Sequence, residues 1–204
     1  MKYKIFSILF TGLICGLFQS SVISAATPLE QLKMGNNRYI TNTMEHPNRS
    51  LERRESTNTS QEPFAVILGC SDSRVSPEII FDQGIGDLFI IRVAGNCLGD
   101  LGQESLLYGV LNLHAKLIVV LGHDQCGAIQ AVMSGKAAAL PGLLNTLQPA
   151  VKNSSTLEEA IKNNVAYVRK QIEALPALKA LLDSGELQIK GAVYDLTTGA
   201  VSFL

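Results

Sequence analysis

The stretch Phe64–Arg74, FAVILGCSDSR, joins an apolar run directly to a group of reactive side chains. Two further apolar runs follow it, Leu88–Val93 (LFIIRV) and Leu117–Leu121 (LIVVL). Short apolar runs bounded by glycine or polar residues are typical of strands that are buried on both faces. Helix-like stretches separate the runs, and this order predicts a parallel sheet with helices on both sides. These stretches are Ser76–Phe81, Gly102–Leu113 and Ala128–Met133.

Helical segments are also predicted at the start of the mature chain and between Met133 and the last strands. Thr27–Ile40 has loosely helical apolar spacing, and the polar segment Thr41–Glu62 is expected to be mobile or to wrap around the domain. Thr156 is a suitable N-cap for a helix that continues to Leu175. Leu140–Val151 is ambiguous, because two prolines interrupt it. After a short helix at Pro176–Ser184, the sequence predicts a terminal hairpin of Leu187–Tyr194 and Ala200–Phe203.

Residues 1–26 have the layout of a secretory signal peptide. Lys2 and Lys4 form a positive start, a mainly apolar stretch of 14 residues follows, and a polar tail of small residues ends at Ala26. A membrane-spanning helix needs about 20 apolar residues, so a permanent span fits this segment less well. We therefore expect an exported, periplasmic protein that is cleaved after Ala26 and has no stable membrane span in its mature form.

The remaining residues, 27–204, suit one domain of ordinary size. Without Lys2 and Lys4, 15 basic residues stand against 18 acidic ones, which is a formal charge of −3. Nucleic-acid binding requires a concentrated basic face, so this class of partner is excluded. Three cysteines remain in the mature chain, at positions 70, 97 and 126, and an odd number argues against a disulfide framework.

Reactive residues follow two of the predicted strands. Cys70 follows the first run, and His123 and Cys126 follow the third. Because the carboxyl ends of parallel strands meet at one edge of the sheet, we expect these three side chains to converge. Two thiolates and one imidazole suit zinc, and three protein ligands leave a fourth position open for catalysis. The alternatives are a core thiol beside a surface imidazole, or a Cys70–Cys126 disulfide in oxidised protein.

Asp72 and Arg74 are predicted to lie beside this site. Alternate residues of an extended segment point the same way, which would place Cys70, Asp72 and Arg74 on one side. Asp72 could be the fourth zinc ligand in a closed state, or it could pair with Arg74 and leave that position open. A strand-end salt bridge without a chemical role is the alternative.

The motifs CSDSR, RVAGN (Arg92–Asn96) and LGHDQCGA (Leu121–Ala128), in this order, closely resemble those of the β-class carbonic anhydrases. The resemblance runs from about Leu29 to Leu204. It implies one Zn²⁺ per subunit on Cys70, His123 and Cys126, and a catalytic dyad of Asp72 and Arg74. It also implies an α/β domain over residues 27–204, with a mostly parallel central sheet flanked by helices, an N-terminal helical arm and a C-terminal helical region.

The resemblance further implies a substrate pocket and an oligomer. Gln61 would reach across a homodimer, or a tetramer built from dimers, to hydrogen-bond the substrate. The matching pocket positions are Phe89, Ala94, Tyr108 and Gly127, and ordinary core packing is the alternative for the two aromatic residues. Thr41–Glu62 would then belong to the dimerising arm.

The function that follows is that of a zinc lyase, in which zinc-bound hydroxide attacks CO₂ to give bicarbonate and a proton. A second possibility keeps the zinc and the fold but takes CS₂ or COS as substrate. A third is a non-catalytic, zinc-stabilised dimer in which Asp72 stays on the metal.

Overall fold

The computed structural model describes residues 25–204, and these form a five-stranded sheet with helices on both faces. The strands are β1 (Ala65–Gly69), β2 (Leu88–Arg92), β3 (Leu117–His123), β4 (Gln188–Tyr194) and β5 (Val201–Phe203). Their order is β2-β1-β3-β4-β5, and β5 pairs antiparallel to β4 while the other pairs are parallel. The predicted fold class, α/β with a mostly parallel sheet, is confirmed.

The helices lie before β1 and in the gaps between the strands that the sequence indicated. They are α1 (Pro28–Ile40), α2 (Leu51–Ser56), α3 (Pro77–Ile80), α4 (Asp100–Leu111), α5 (Gly127–Met133), α6 (Pro141–Val151), α7 (Leu157–Glu173) and α8 (Lys179–Asp183). The α1 helix begins with a capping box between Thr27 and Glu30, and Thr156 caps α7 as predicted.

The strands alternate their side chains between two apolar layers. Val66 and Leu68 of β1 pack toward α4 and α7, whereas Ala65 and Ile67 pack toward α1 and α3. Every residue of β1 and β3 is buried, which is why their sequences are continuous apolar runs and not alternating ones. A third apolar cluster, between α5 and α6, contains Cys70, Cys97 and Cys126.

The register of the sheet decides where the reactive residues emerge. Gly69 lies level with Arg92 of β2 and with Leu121 of β3. Cys70 therefore leaves β1 at the same edge of the sheet at which β3 ends in His123.

The ambiguous segment 140–151 forms one helix, α6. Pro141 occupies the first turn, where a missing N–H leaves no intrahelical hydrogen bond unmade. Pro149 lies inside the last turn, and the helix continues past it to Val151. The two prolines therefore do not break this helix.

The polar segment 41–62 wraps around its own domain. Asp82, which is fully buried, accepts hydrogen bonds from the backbone N–H groups of Glu45 and His46 at 2.9 and 3.0 Å and from Arg38 Nε at 2.7 Å. Further along, Asp87 accepts hydrogen bonds from the side chain of Asn48. The segment is therefore fastened at two places and includes the short helix α2.

Among residues 25–204, no helix has both the length and the apolar character needed to cross a membrane. The proposed signal peptide lies almost entirely outside the described residues.

Candidate metal centre

Cys70, His123 and Cys126 meet at the carboxyl edge of the sheet. Their ligand atoms all lie within 4.8 Å of one another, and all three residues are buried. β1 delivers Cys70, β3 ends in His123, and Cys126 occupies the N-cap position of α5. The predicted convergence of these three residues is confirmed.

His123 presents its Nε2 atom to the cluster. The carbonyl oxygen of Asp124 lies 2.7 Å from His123 Nδ1. Because a carbonyl can only accept, Nδ1 carries the proton, and Nε2 is left with its lone pair. Nε2 is buried and has no hydrogen-bond partner among the described residues. A buried nitrogen in this state is suited to binding a metal ion.

The two sulfurs of the cluster interact with each other. The neighbouring Cys126 lowers the pKa of the Cys70 thiol, and Cys70 together with burial raises the pKa of Cys126. The Gly95 N–H also donates to Cys70 Sγ, at 3.2 Å. Cys70, Cys97 and Cys126 are all free thiols, so no disulfide closes the cluster within the described residues.

The donor set fits zinc. Zinc binds sulfur at about 2.3 Å and imidazole nitrogen at about 2.0–2.1 Å, so a tetrahedral ion needs its donors roughly 3.5–3.8 Å apart. Because the mutual separations are at most 4.8 Å, the donors would have to approach one another by no more than about 1.3 Å. Two sulfurs with one nitrogen also favour a soft ion over Mg²⁺ or Ca²⁺, which bind oxygen.

Asp72 and Arg74 form a bidentate ion pair beside the cluster. Arg74 Nε and Nη2 donate to the two carboxylate oxygens of Asp72 at 2.9 and 2.8 Å. The Arg74 guanidinium thereby holds the pKa of Asp72 well below its usual range. Asp72 Oδ2 lies 3.8 Å from His123 Nε2, so the carboxylate borders the space in which an ion would sit.

The prediction that Asp72 and Arg74 lie on an extended segment was wrong. The strand ends at Gly69, and residues 73–74 form a turn in place of an extended segment. The Arg74 N–H donates to Asp72 Oδ1 at 3.0 Å, and the Val75 N–H donates to the Asp72 carbonyl at 3.0 Å. The aspartate side chain therefore builds the turn that brings Arg74 back onto it.

Two contributors to the site were missed, although both belong to the quoted motif RVAGN. Arg92 donates from Nε to the Cys70 carbonyl at 3.1 Å and from Nη2 to the Asp72 carbonyl at 2.6 Å. It thus fixes the backbone on either side of Ser71. Gly95 supplies the N–H that reaches the Cys70 sulfur. Their positions at and just after the end of a strand, beside the first ligand, were the available signal.

The predicted pocket residues fall into two groups. Ala94 lies in the 3₁₀ turn Ala94–Asn96 beside Cys70, and Gly127 directly follows the ligand Cys126. Phe89 and Tyr108 contact each other, with ring centroids 6.1 Å apart. Phe89 lies level with Val66, four residues before Cys70, which corresponds to about 13 Å along the strand. Within one chain, the aromatic pair is therefore away from the cluster.

Gln61 lies at the opposite end of the sheet. It precedes β1 and lines an open groove of about 440 Å³ together with Phe64 and Lys116, close to the amino ends of β1 and β3. The structure of one chain does not bring Gln61 to the metal ligands.

Comparison with known proteins agrees with this geometry. The carbonic anhydrase family model matches residues 65–201. Carbonic anhydrase 2 of Mycobacterium tuberculosis is 36% identical over 180 residues, covering 82% of this chain and 87% of the relative.

Solved structures of β-carbonic anhydrases have a fold similar to that of this chain. A Coccomyxa β-carbonic anhydrase in complex with acetazolamide has a TM-score of 0.67 and 28% identity, covering 74% of this chain and 75% of its own. A tetrameric β-carbonic anhydrase of Sordaria macrospora shares the fold with a TM-score of 0.67 at 23% identity, over 84% and 93% of the two chains. By fold, motifs and similarity, the chain belongs to the β-class carbonic anhydrases.

Proposed function

We propose that this carbonic anhydrase hydrates CO₂ reversibly to bicarbonate and a proton, with one Zn²⁺ per subunit held by Cys70, His123 and Cys126. CO₂ hydration is the general reaction of the family. The observation that carries the proposal is the buried cluster of two sulfurs and one imidazole nitrogen that has no hydrogen-bond partner within residues 25–204, with donors within 4.8 Å of one another. Bound there, zinc would act as a Lewis acid that lowers the pKa of a water molecule at its fourth position.

Asp72 and Arg74 would prepare the open face of the site. The ion pair engages both carboxylate oxygens of Asp72, which favours an open fourth position over a closed one. Asp72 is ionised at neutral pH, as an ordinary aspartate is, and Arg74 lowers its pKa further. An ionised carboxylate at this distance can accept a hydrogen bond from the attacking water and orient it toward CO₂. Asp72 would thus be the catalytic acceptor, and Arg74 would position it.

Part of the substrate pocket would come from a second subunit. Phe89, Tyr108 and Gln61 all lie away from the cluster of their own chain, yet the family resemblance assigns them to the pocket. Tyr108 is 48% exposed, and the same helix, α4, carries Leu101 at 79% exposure. Exposed apolar side chains on one helix suit an interface with a second copy. We therefore propose a homodimer, or a tetramer built from dimers, in which each subunit completes the pocket of its partner.

We further propose that the protein is exported. The layout of residues 1–26 supports this, with its basic start, apolar stretch and tail of small residues. Purification of the native protein from a periplasmic fraction, followed by N-terminal sequencing, should give Thr27 as the first residue. Recovery of the uncleaved chain from the cytoplasm would contradict export.

A stopped-flow CO₂ hydration assay on zinc-loaded protein tests the proposed reaction. We expect the wild type to be active, Cys70→Ala to lose both zinc and activity, and Asp72→Asn to keep zinc while activity falls about 10²-fold. Cys97→Ala is the matched control, because it removes a buried thiol outside the ligand cluster. Full activity of zinc-loaded Asp72→Asn would show that Asp72 has no role as acceptor.

A further inference from the structure

Asn164 is a polar residue in the middle of the apolar face of α7. Its neighbours on that face are Ala160, Ile161, Val165 and Val168, and Asn164 itself is 0% exposed. Its Oδ1 atom has no hydrogen-bond partner in the described part of the chain. A buried polar atom left unpaired costs about 1–3 kcal/mol. Packing alone would therefore favour an apolar side chain, and the amide needs another explanation.

The amide nitrogen of Asn164 leads to the metal site in two hydrogen bonds. Asn164 Nδ2 donates to the Gly95 carbonyl at 2.8 Å, in a buried contact that joins residues 69 positions apart. On the other side of its Cα atom, the Gly95 N–H donates to Cys70 Sγ at 3.2 Å. Helix α7 is thereby connected to a predicted metal ligand through a single glycine.

Gly95 has a backbone conformation that needs to be held. Its φ of +67° lies in the left-handed region, and Asn96 beside it also has a positive φ, of +43°. A Cβ at Gly95 would lie 2.9 Å from Leu147 Cδ1, so a side chain there would have to displace this leucine. Glycine has more backbone freedom than any other residue. The hydrogen bond from Asn164 restrains that freedom.

We propose that Asn164 is a positioning residue of the metal centre: it holds Gly95 so that the Gly95 N–H stays on the Cys70 sulfur. The inference rests on the proposed function, because it requires a metal ion on Cys70. An N–H that donates to a thiolate withdraws charge from the sulfur, so the sulfur donates less to the metal and its orientation is fixed. Groups that orient metal ligands typically change metal affinity or activity about 10–100-fold when they are removed.

Cobalt substitution provides a readout that a purely structural role would not move. The sulfur-to-cobalt charge-transfer band reports the electron density on the thiolates directly. In Asn164→Leu, which has a similar volume but no amide, we expect this band to shift to longer wavelength. We also expect the zinc dissociation constant, measured by competition with a chelator, to rise on the order of tenfold, because the lost orientation of Cys70 outweighs the stronger donation from its sulfur.

Asn163→Ala is the matched control on the same helix. Asn163 is exposed, and its side chain bonds Ser154 at the surface, so both readouts should stay at wild-type values. If Asn164→Leu does not fold, Asn164→Ala and Asn164→Ser replace it, and the serine, which keeps a donor, should lie nearer to wild type. A folded variant without the amide that keeps the wild-type band and zinc affinity would overturn the proposal, whatever its thermal stability.

The same samples separate this inference from the proposed reaction. A wild type that fails to hydrate CO₂, while Asn164→Leu still shifts the cobalt band, would refute the reaction and support the positioning role. If the wild type is active but the cobalt band of Asn164→Leu matches that of the wild type, the reaction is supported and the positioning role is refuted. A wild type without any thiolate-to-cobalt band would overturn the metal centre and the positioning role together.

Discussion

Arg74 donates hydrogen bonds to both carboxylate oxygens of Asp72, from Nε at 2.9 Å and from Nη2 at 2.8 Å. Asp72 Oδ2 lies only 3.8 Å from His123 Nε2. The aspartate is thus close enough to reach an ion on His123 after a small rotation. The guanidinium opposes that rotation, because it would break a planar, two-point contact. We therefore expect Arg74 to favour the open form of the site.

Arg74→Ala should close the site. With its partner gone, we expect Asp72 to bind the metal, so that CO₂ hydration falls about 10²-fold while zinc content is unchanged. Spectra of the cobalt-loaded variant at pH 7 should show the exchange of a solvent ligand for a carboxylate. Arg54→Ala removes an exposed arginine of α2 and should leave rate and spectrum as in the wild type. Wild-type activity in Arg74→Ala would mean that another group holds Asp72.

Asp82→Asn should weaken the contacts that hold the first part of segment 41–62, at Glu45 and His46, on the domain. Burial alone would raise the pKa of Asp82, but Arg38 and the N–H groups of Glu45 and His46 outweigh it and lower that pKa. Removing one partner of such a buried contact should lower the free energy of unfolding by about 3 kcal/mol at pH 7.

The pH dependence of this loss follows from the lowered pKa of Asp82. Its stabilisation is present above the unfolded-state pKa of about 3.9 and is lost as the pH falls through the lower folded-state value. Urea unfolding at pH 7 and pH 3 should therefore show the difference between wild type and Asp82→Asn shrinking in acid. Asp183→Asn, at an exposed ion pair, is the control and should change stability by less than about 1 kcal/mol. A difference that grows in acid would contradict the assignment.

Gln61 should act in the active site of the partner subunit. Gln61→Ala and Cys70→Ala homodimers are each expected to have low activity for different reasons. In a mixed dimer, the Gln61→Ala subunit keeps its own metal ligands and receives Gln61 from its partner, so one intact site is restored. Activity that rises when the two unfolded variants are refolded together checks this, with separately refolded samples as the control. No gain in a verified heterodimer would place Gln61 outside the partner's pocket.

Gly122→Ala should separate α7 from β3. A Cβ at Gly122 would lie 2.7 Å from Val165 Cγ2 and 3.4 Å from Ile161 Cγ2, and β-branched side chains have little freedom to move. We expect a loss of about 1–3 kcal/mol in the free energy of unfolding, and reduced activity because His123 is the next residue. At Gly142, in the first turn of α6, a Cβ would meet no described atom within 4 Å. Gly142→Ala should therefore be neutral or slightly stabilising in the same urea titration.

The strands and the metal ligands could be predicted because their signals are local. FAVIL and LIVVL are each buried on both faces, and parallel strands must deliver the residues that follow them to one edge. This argument alone predicts that Cys70 and His123 lie close together. The same logic failed for Asp72 and Arg74, where the aspartate's own hydrogen bond to the backbone replaced the expected extended segment by a turn.

Other features depend on contacts that no local pattern shows. Segment 41–62 has the composition of a mobile linker, and it is held by Asp82 and Asp87, both more than 30 residues from their partners. Asn164 could have been noticed as a polar residue on the apolar face of a helix, but its partner Gly95 could not. Gln61 was assigned by resemblance alone, and a single chain places it at the far end of the sheet.

X-ray absorption at the zinc edge tests the metal centre most directly. For purified, zinc-replete protein we predict one zinc per subunit, bound by two sulfurs at about 2.3 Å and by a nitrogen at about 2.0–2.1 Å, with one sulfur lost in Cys126→Ser. A light-atom ligand should complete the shell. A spectrum without sulfur, or active protein without stoichiometric zinc, would contradict the account.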